Sequence, residues 1–126
     1  LRHRSAIRAW IHHCVAHEGA QIGSLRFLFC DDAYMLEANR QFLDHDYLTD
    51  ILTFPDHSAK GICGDILISI DRTRDNAKTL KYNPLDELHR VISHGVLHLL
   101  GFDDHTPSDQ HTMRSKEDHW LTQRTF

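Results

Sequence analysis

The sequence predicts an α+β fold in a single domain, with about five helices packed on one mixed β-sheet. Three observations predict it. Five stretches place apolar residues at helical spacing, most of them between recognisable start and stop signals. Three short stretches, rich in β-branched or aromatic residues, lie between turn signals and read as strands. One helical stretch, Pro84 to Leu100, is apolar around most of its circumference, so the rest of the chain must cover it.

The totals set the bounds. With 126 residues, 40% of them hydrophobic, residues 1–126 are read as one domain around one core. No apolar run approaches the ~18 residues needed to span a bilayer and no basic-then-apolar leader opens the chain, so a soluble protein with no membrane partner is expected. Cys14, Cys30 and Cys63 are odd in number, far apart and in no C-x-x-C pair. This argues against a disulfide framework and a cysteine zinc site, and points to a reducing cytoplasm. The formal net charge of −4 gives no global pull toward nucleic acid, and no DNA partner is expected. Any RNA contact must come from a local basic face. Twelve histidines are the compositional anomaly. Those in polar surroundings, such as His12-His13, read as solvated surface.

Taken in order, Arg2 to Glu18 repeats Ile7, Ile11, Cys14 and Val15 at helical spacing beside a basic row of Arg4, Arg8 and His12, and Gly19 ends it. Leu25 to Cys30 reads as a strand. Asp31-Asp32 then cap a helix from about Ala33 to Leu43, with Met35, Leu36, Phe42 and Leu43 as its expected buried residues. Asp44-His45-Asp46 make a polar turn. Asp50 to Phe54 is a strand stopped by Pro55, Asp56 to Gly61 a loop, and Ile62 to Ile70 a strand in which Gly64 marks a bulge or a close approach. Asp71 caps a helix through Lys81 that carries Arg72, Arg74 and Lys78. Asn83-Pro84 stops it and starts the apolar helix to Leu100. Thr106-Pro107-Ser108-Asp109, with a cap, a proline at the first helical position and an acid three after the cap, opens a last helix to about Gln123. Met113, Trp120 and Leu121 are available to pack there.

The chemistry is concentrated in Ser93 to His105. His94 and His98 stand four residues apart on the apolar helix, so they project from one face, where two imidazoles can meet one metal ion. Both rings need polar partners in a helix otherwise filled with Leu, Val and Ile, and a shared cation satisfies them together. Gly101 suits a left-handed helix stop, after which the chain can swing Asp103, Asp104 or His105 back as a third ligand. Gly95 stands where the zinc-protease motif H-E-x-x-H has its glutamate, so the helix supplies ligands without a base. A metal on three protein groups with an open position lowers the pKa of its water toward ~7 and polarises a carbonyl or phosphoryl oxygen, which makes hydrolysis the natural reaction class. Glu87, seven residues before His94, reads either as a partner that orients that ring or as an ordinary first-turn acid.

His94-Gly95-Val96-Leu97-His98-Leu99-Leu100-Gly101-Phe102-Asp103 resembles the signature H-G-x-L-H-L-x-G-Y-D-H of the YbeY family, metal-dependent bacterial endoribonucleases of rRNA maturation and ribosome quality control. Asn39 with Asp46, the segment Thr49 to Pro55 (family pattern T-D-V-L-S-F-P) and Gly64-Asp65-Ile66 (G-D-I) resemble further family marks in the same order. The resemblance implies a strand ahead of Leu1, which would make about four strands, with the metal-ligand helix central. It also implies one metal ion per chain, an rRNA substrate cut in single-stranded regions, and the small ribosomal subunit as partner.

Two departures stand out. The family's third ligand is a histidine six positions after the second; here that position is Asp104, and the histidine follows at His105. Keeping the spacing gives His94, His98 and Asp104 as the metal set, which we favour; keeping the residue type gives His105 as the alternative. Two histidines and a carboxylate suit Zn2+ and also admit Fe or Mn. Leu43 stands where many members carry an arginine thought to act at the phosphate, and Arg40, one turn earlier, is the remaining catalytic candidate beyond the metal-bound water. Arg4, Arg8, Arg72, Arg74 and Lys78 are the candidate RNA contacts. Two other readings stay open: a ribosome-assembly factor with a structural metal, and a metallohydrolase of another substrate, such as a peptide.

Overall fold

A computed structural model of the chain describes residues 1–45, 48–58 and 60–126. In order, the elements are α1 (Arg4–His17), β1 (Ile22–Cys30), α2 (Asp32–Leu43), β2 (Ile51–Pro55), β3 (Ile62–Ser69), α3 (Ile70–Leu80), α4 (Pro84–Leu99) and α5 (Pro107–Thr122). The three described strands form one mixed sheet in the order β1-β3-β2, with β1 parallel and β2 antiparallel to β3. The five helices and the mixed sheet agree with the α+β reading.

β3 is central and almost wholly buried, which fits its run of Ile, Leu and Cys. Gly64 is a close approach rather than a bulge: a Cβ there would meet the Phe54 carbonyl oxygen at 2.7 Å. The register irregularity lies on β1 instead, between Ile22 and Ser24. Arg26 and Asp65 face each other in register across β1 and β3 and pair through two hydrogen bonds of 2.8 and 2.9 Å.

The main core lies between the sheet, α1, α4 and α5. Ile7, Trp10, Ile11 and Val15 meet Ile66, Ile68, Ile92, Val96, Leu97, Met113 and Trp120 there. Trp10 also donates its indole N–H to the Trp120 carbonyl at 2.7 Å, tying α1 to α5. A smaller cluster, Met35 and Ala38 of α2 with Leu52 and Leu67, forms separately. The expected burial of α2 needs correction. Met35 is fully buried, but Phe42 and Leu43 are 63% and 41% exposed, because the stripe that packs is Met35, Ala38 and Asn39; Phe42 meets the ring of Phe54 edge-on.

The helix starts follow capping chemistry. Asp31, Asn83 and Thr106 each accept from backbone N–H groups of the helix they open. At α3 the cap is Ser69 rather than Asp71, since the helix begins earlier and Ser69 Oγ accepts from the Arg72 N–H. Asp71 instead accepts from the Asp32 N–H at 2.9 Å, which joins the starts of α2 and α3. Asp46, expected in the turn after α2, lies outside the described residues, as does Ala59 of the loop expected over residues 56–61.

Gly95 sets how deeply α4 sits on the sheet. A Cβ at this position would stand 2.7 Å from Ile51 Cδ1 and 3.1 Å from Ile66 Cγ2. Gly95→Glu, which would write H-E-x-x-H into the sequence, should therefore destabilise the chain by several kcal/mol, roughly 3 or more, by driving a charge into the packed layer. Urea unfolding of this variant at wild-type stability would contradict the packing described.

A second test uses His89 of α4, buried against Trp10 and Phe126, with Nδ1 accepting from Arg124 at 2.8 Å. Burial, reinforced by the Arg124 charge, pushes its pKa down from 6.5 to about 4. The unfolded chain then takes up the proton first on acidification, so the stabilisation is complete above about 6.5 and is lost as pH falls toward 4. Relative to His89→Gln, the wild type should lose roughly 2 kcal/mol more between pH 7 and pH 5 in urea titrations. Parallel pH profiles would show that His89 is not held neutral.

Candidate metal centre

α4 positions the two histidines through its pitch alone. His94 and His98 bring their Nε2 atoms to 3.0 Å of each other, with ring centroids 4.5 Å apart. The helix then stops in a left-handed turn: Gly101 has φ 104°, its N–H donates to the His98 carbonyl, and the Phe102 N–H donates to that of Leu97, each at 3.0 Å. This turn returns the chain so that Asp104 Oδ2 lies 3.3 Å from His94 Nε2 and 3.6 Å from His98 Nε2. Gln110 of α5 secures the returning loop by donating to the Asp104 carbonyl at 3.1 Å.

The three atoms fit a cation. Ligand atoms about 2.0–2.1 Å from a tetrahedral zinc ion stand roughly 3.3 Å from one another, which matches the observed triangle. Among the described residues, His94, His98 and Asp104 are the one group of His, Cys, Asp or Glu side chains close enough to share an ion. His105 is exposed and outside this group. Spacing, rather than residue type, thus decides which side chain the turn delivers.

Behind the triangle lies a residue that sequence reasoning missed. Glu117 of α5 is 6% exposed, and its Oε2 is 2.7 Å from His94 Nδ1. A carboxylate only accepts, so Nδ1 carries a proton, and Nε2 is the ring atom that faces Asp104 and His98. Glu117 Oε1 accepts from Arg90 at 3.0 Å, which fixes the carboxylate in turn. The signal was present: Met113, Glu117 and Trp120 share the buried face of α5, and a lone acid in an apolar stripe demands a partner. Glu87, the acid considered for this task, does not take it. It is buried, and its Oε2 has no hydrogen-bond partner among the described residues.

Electrostatics separate the two rings. Burial works against the His94 imidazolium and is the largest single influence, but the Glu117 hydrogen bond, with the charges of Glu117, Asp104 and Asp50, outweighs it and raises the His94 pKa. Burial, followed by the charge of His94, lowers that of His98. Burial also raises the carboxyl pKa values of Asp50 and Glu87, which line the same cavity as His94 and Asp104. That cavity has a volume of about 360 Å³.

The other candidates lie elsewhere. Arg40 is exposed near the end of α2 and does not line this cavity. Arg4 and Arg8 line a different cavity between α1 and β1. Arg72 is engaged by Asp32 and Asp75, while Arg74 and Lys78 are exposed on α3. The five basic residues therefore do not gather beside the histidines.

Glu117→Gln should weaken metal binding about 10- to 100-fold, because the His94 ring loses the carboxylate charge that raises its basicity. Competition against a chromogenic zinc chelator measures this. Unchanged affinity would show that Glu117 does not support the site.

Comparisons with known proteins agree with this architecture. The family model described as Endoribonuclease YbeY matches residues 2–125. An Endoribonuclease YbeY of Cytophaga hutchinsonii is 50% identical over 127 residues, spanning 100% of this chain and 89% of that protein. One from Porphyromonas gingivalis is 47% identical over 118 residues, spanning 94% and 78%. The fold is also similar to the solution structure of TM1509 from Thermotoga maritima, with a TM-score of 0.71 at 22% identity over 98% of this chain and 83% of that one.

Proposed function

The chain belongs to the YbeY endoribonuclease family, and on that premise we propose that it is a metal-dependent endoribonuclease. Its substrate is RNA, cut by hydrolysis of phosphodiester bonds in single-stranded regions during rRNA maturation at the small ribosomal subunit, in the cytoplasm. We read residues 1–126 as one catalytic domain that holds one Zn2+. No described helix is long and apolar enough to cross a membrane.

The observation that carries this reading is the convergence of His94, His98 and Asp104 at the edge of a solvent-reached cavity. The three side chains are 23, 24 and 37% exposed, so they remain accessible from one side. His94 and His98 would bind through Nε2 and Asp104 through a carboxylate oxygen. A divalent cation held there supplies Lewis-acid activation of water and stabilisation of charge on a phosphoryl oxygen. Glu117 orients His94, and Gln110 keeps the Asp104 loop in place. Asp104 brings a negative charge that a third histidine would not, which leaves the site less positive.

A structural metal is usually closed by four protein ligands, and no fourth side chain joins this group among the described residues. The site as built favours catalysis over a purely structural role. Chelation should reduce cleavage of a single-stranded RNA to background, with recovery on adding Zn2+. The His94→Ala/His98→Ala double variant should stay inactive after the same addition. RNA cleavage that survives both treatments would rule the mechanism out.

A further inference from the structure

Two guanidinium groups line the cavity beside His94, and their charges are differently matched. Arg90 of α4, with its side chain 15% exposed, pairs with Glu117 at 3.0 Å and Asp118 at 2.7 Å. Its charge is already balanced by two carboxylates. Arg114 of α5 is exposed, and its hydrogen bond goes to a neutral group: Nη2 donates to the Tyr82 hydroxyl at 3.0 Å. The guanidinium also stands 5.9 Å from the centre of the Tyr82 ring. Tyr82 therefore orients Arg114 without cancelling its charge.

The rest of the cavity wall makes this contrast matter. Asp50, Glu87, Asp104 and Glu117 all contribute to it, so an entering phosphodiester meets an acidic surface. The Arg114 charge already reaches inside, where it opposes the burial-driven rise of the Glu87 pKa. None of the basic residues singled out from the sequence lines this cavity. A guanidinium whose hydrogen bond among the described residues uses one of five donors is the group suited to bind phosphate oxygens in pairs.

We propose that Arg114, oriented by Tyr82, contacts the phosphate backbone of the RNA bound at the His94, His98 and Asp104 centre. The contact rests on the endoribonuclease reading for its substrate. It adds a source of positive charge in the cavity wall besides the metal and draws α5 into substrate positioning.

The test uses the full chain loaded with Zn2+ and a fluorescent single-stranded RNA oligonucleotide, comparing wild type with Arg114→Gln, Arg114→Lys and Tyr82→Phe. Arg114→Gln should keep its metal content and melting temperature while kcat/KM for RNA falls roughly 10- to 100-fold. Its affinity for the oligonucleotide should fall, and the slope of log affinity against log salt should shrink by about 0.7, the value for one phosphate on a single strand. Arg114→Lys should recover part of the loss and Tyr82→Phe should fall between. Wild-type kcat/KM together with a wild-type salt slope in Arg114→Gln would overturn the proposal, as would a loss of activity that tracks loss of metal or of folding. A wild type that binds RNA through Arg114 without cutting it would support the contact while contradicting the nuclease reading.

Discussion

Everything in the site depends on the seating of α4 against the sheet. Gly95 lies between the two histidines and leaves no room for a side chain against Ile51 and Ile66. Val96 and Leu97, each fully buried, hold the helix in the same rotational setting. Once that setting is fixed, the four-residue spacing can only place His94 and His98 side by side on the outer face. The glycine-terminated turn then has a single task, to return one oxygen donor to them, and it does so with Asp104.

A cluster of this kind carries an electrostatic burden. Glu117, Asp50, Glu87 and Asp104 lie around two partly buried imidazoles, and several of these groups have lost much of their contact with water. Arg90 offsets part of the negative charge by bridging Glu117 and Asp118. A divalent cation would offset more and give both Nε2 lone pairs a common acceptor, where otherwise only one of the two atoms can donate to the other when both rings are neutral. Glu87 Oε2, buried in the same cavity wall, has no hydrogen-bond partner among the described residues.

Much of this was legible in the residues. Helix periodicity, caps and breakers located the five helices and three described strands, because those signals are local and a single residue such as Asn83 or Thr106 reports them. That His94 and His98 share one helix face was legible for the same reason. What the sequence did not reveal were the consequences of which elements pack together. Phe42 and Leu43 continue the apolar pattern of α2, yet the stripe that packs is Met35, Ala38 and Asn39 and leaves them exposed. Glu117 lies 23 residues beyond His94, and only the docking of α5 on α4 brings it to that ring. Asp104 and His105 are chemically plausible alike, and only the geometry of the turn shows that Asp104 is the one brought close to the two rings.

X-ray absorption spectroscopy at the zinc edge of the metal-loaded chain tests the central claim most directly. The account predicts two imidazole nitrogens, one carboxylate oxygen and a solvent oxygen at about 2.0–2.1 Å, with the metal remaining bound in His105→Ala. A third imidazole contributed by His105, with no solvent oxygen in the shell, would contradict it.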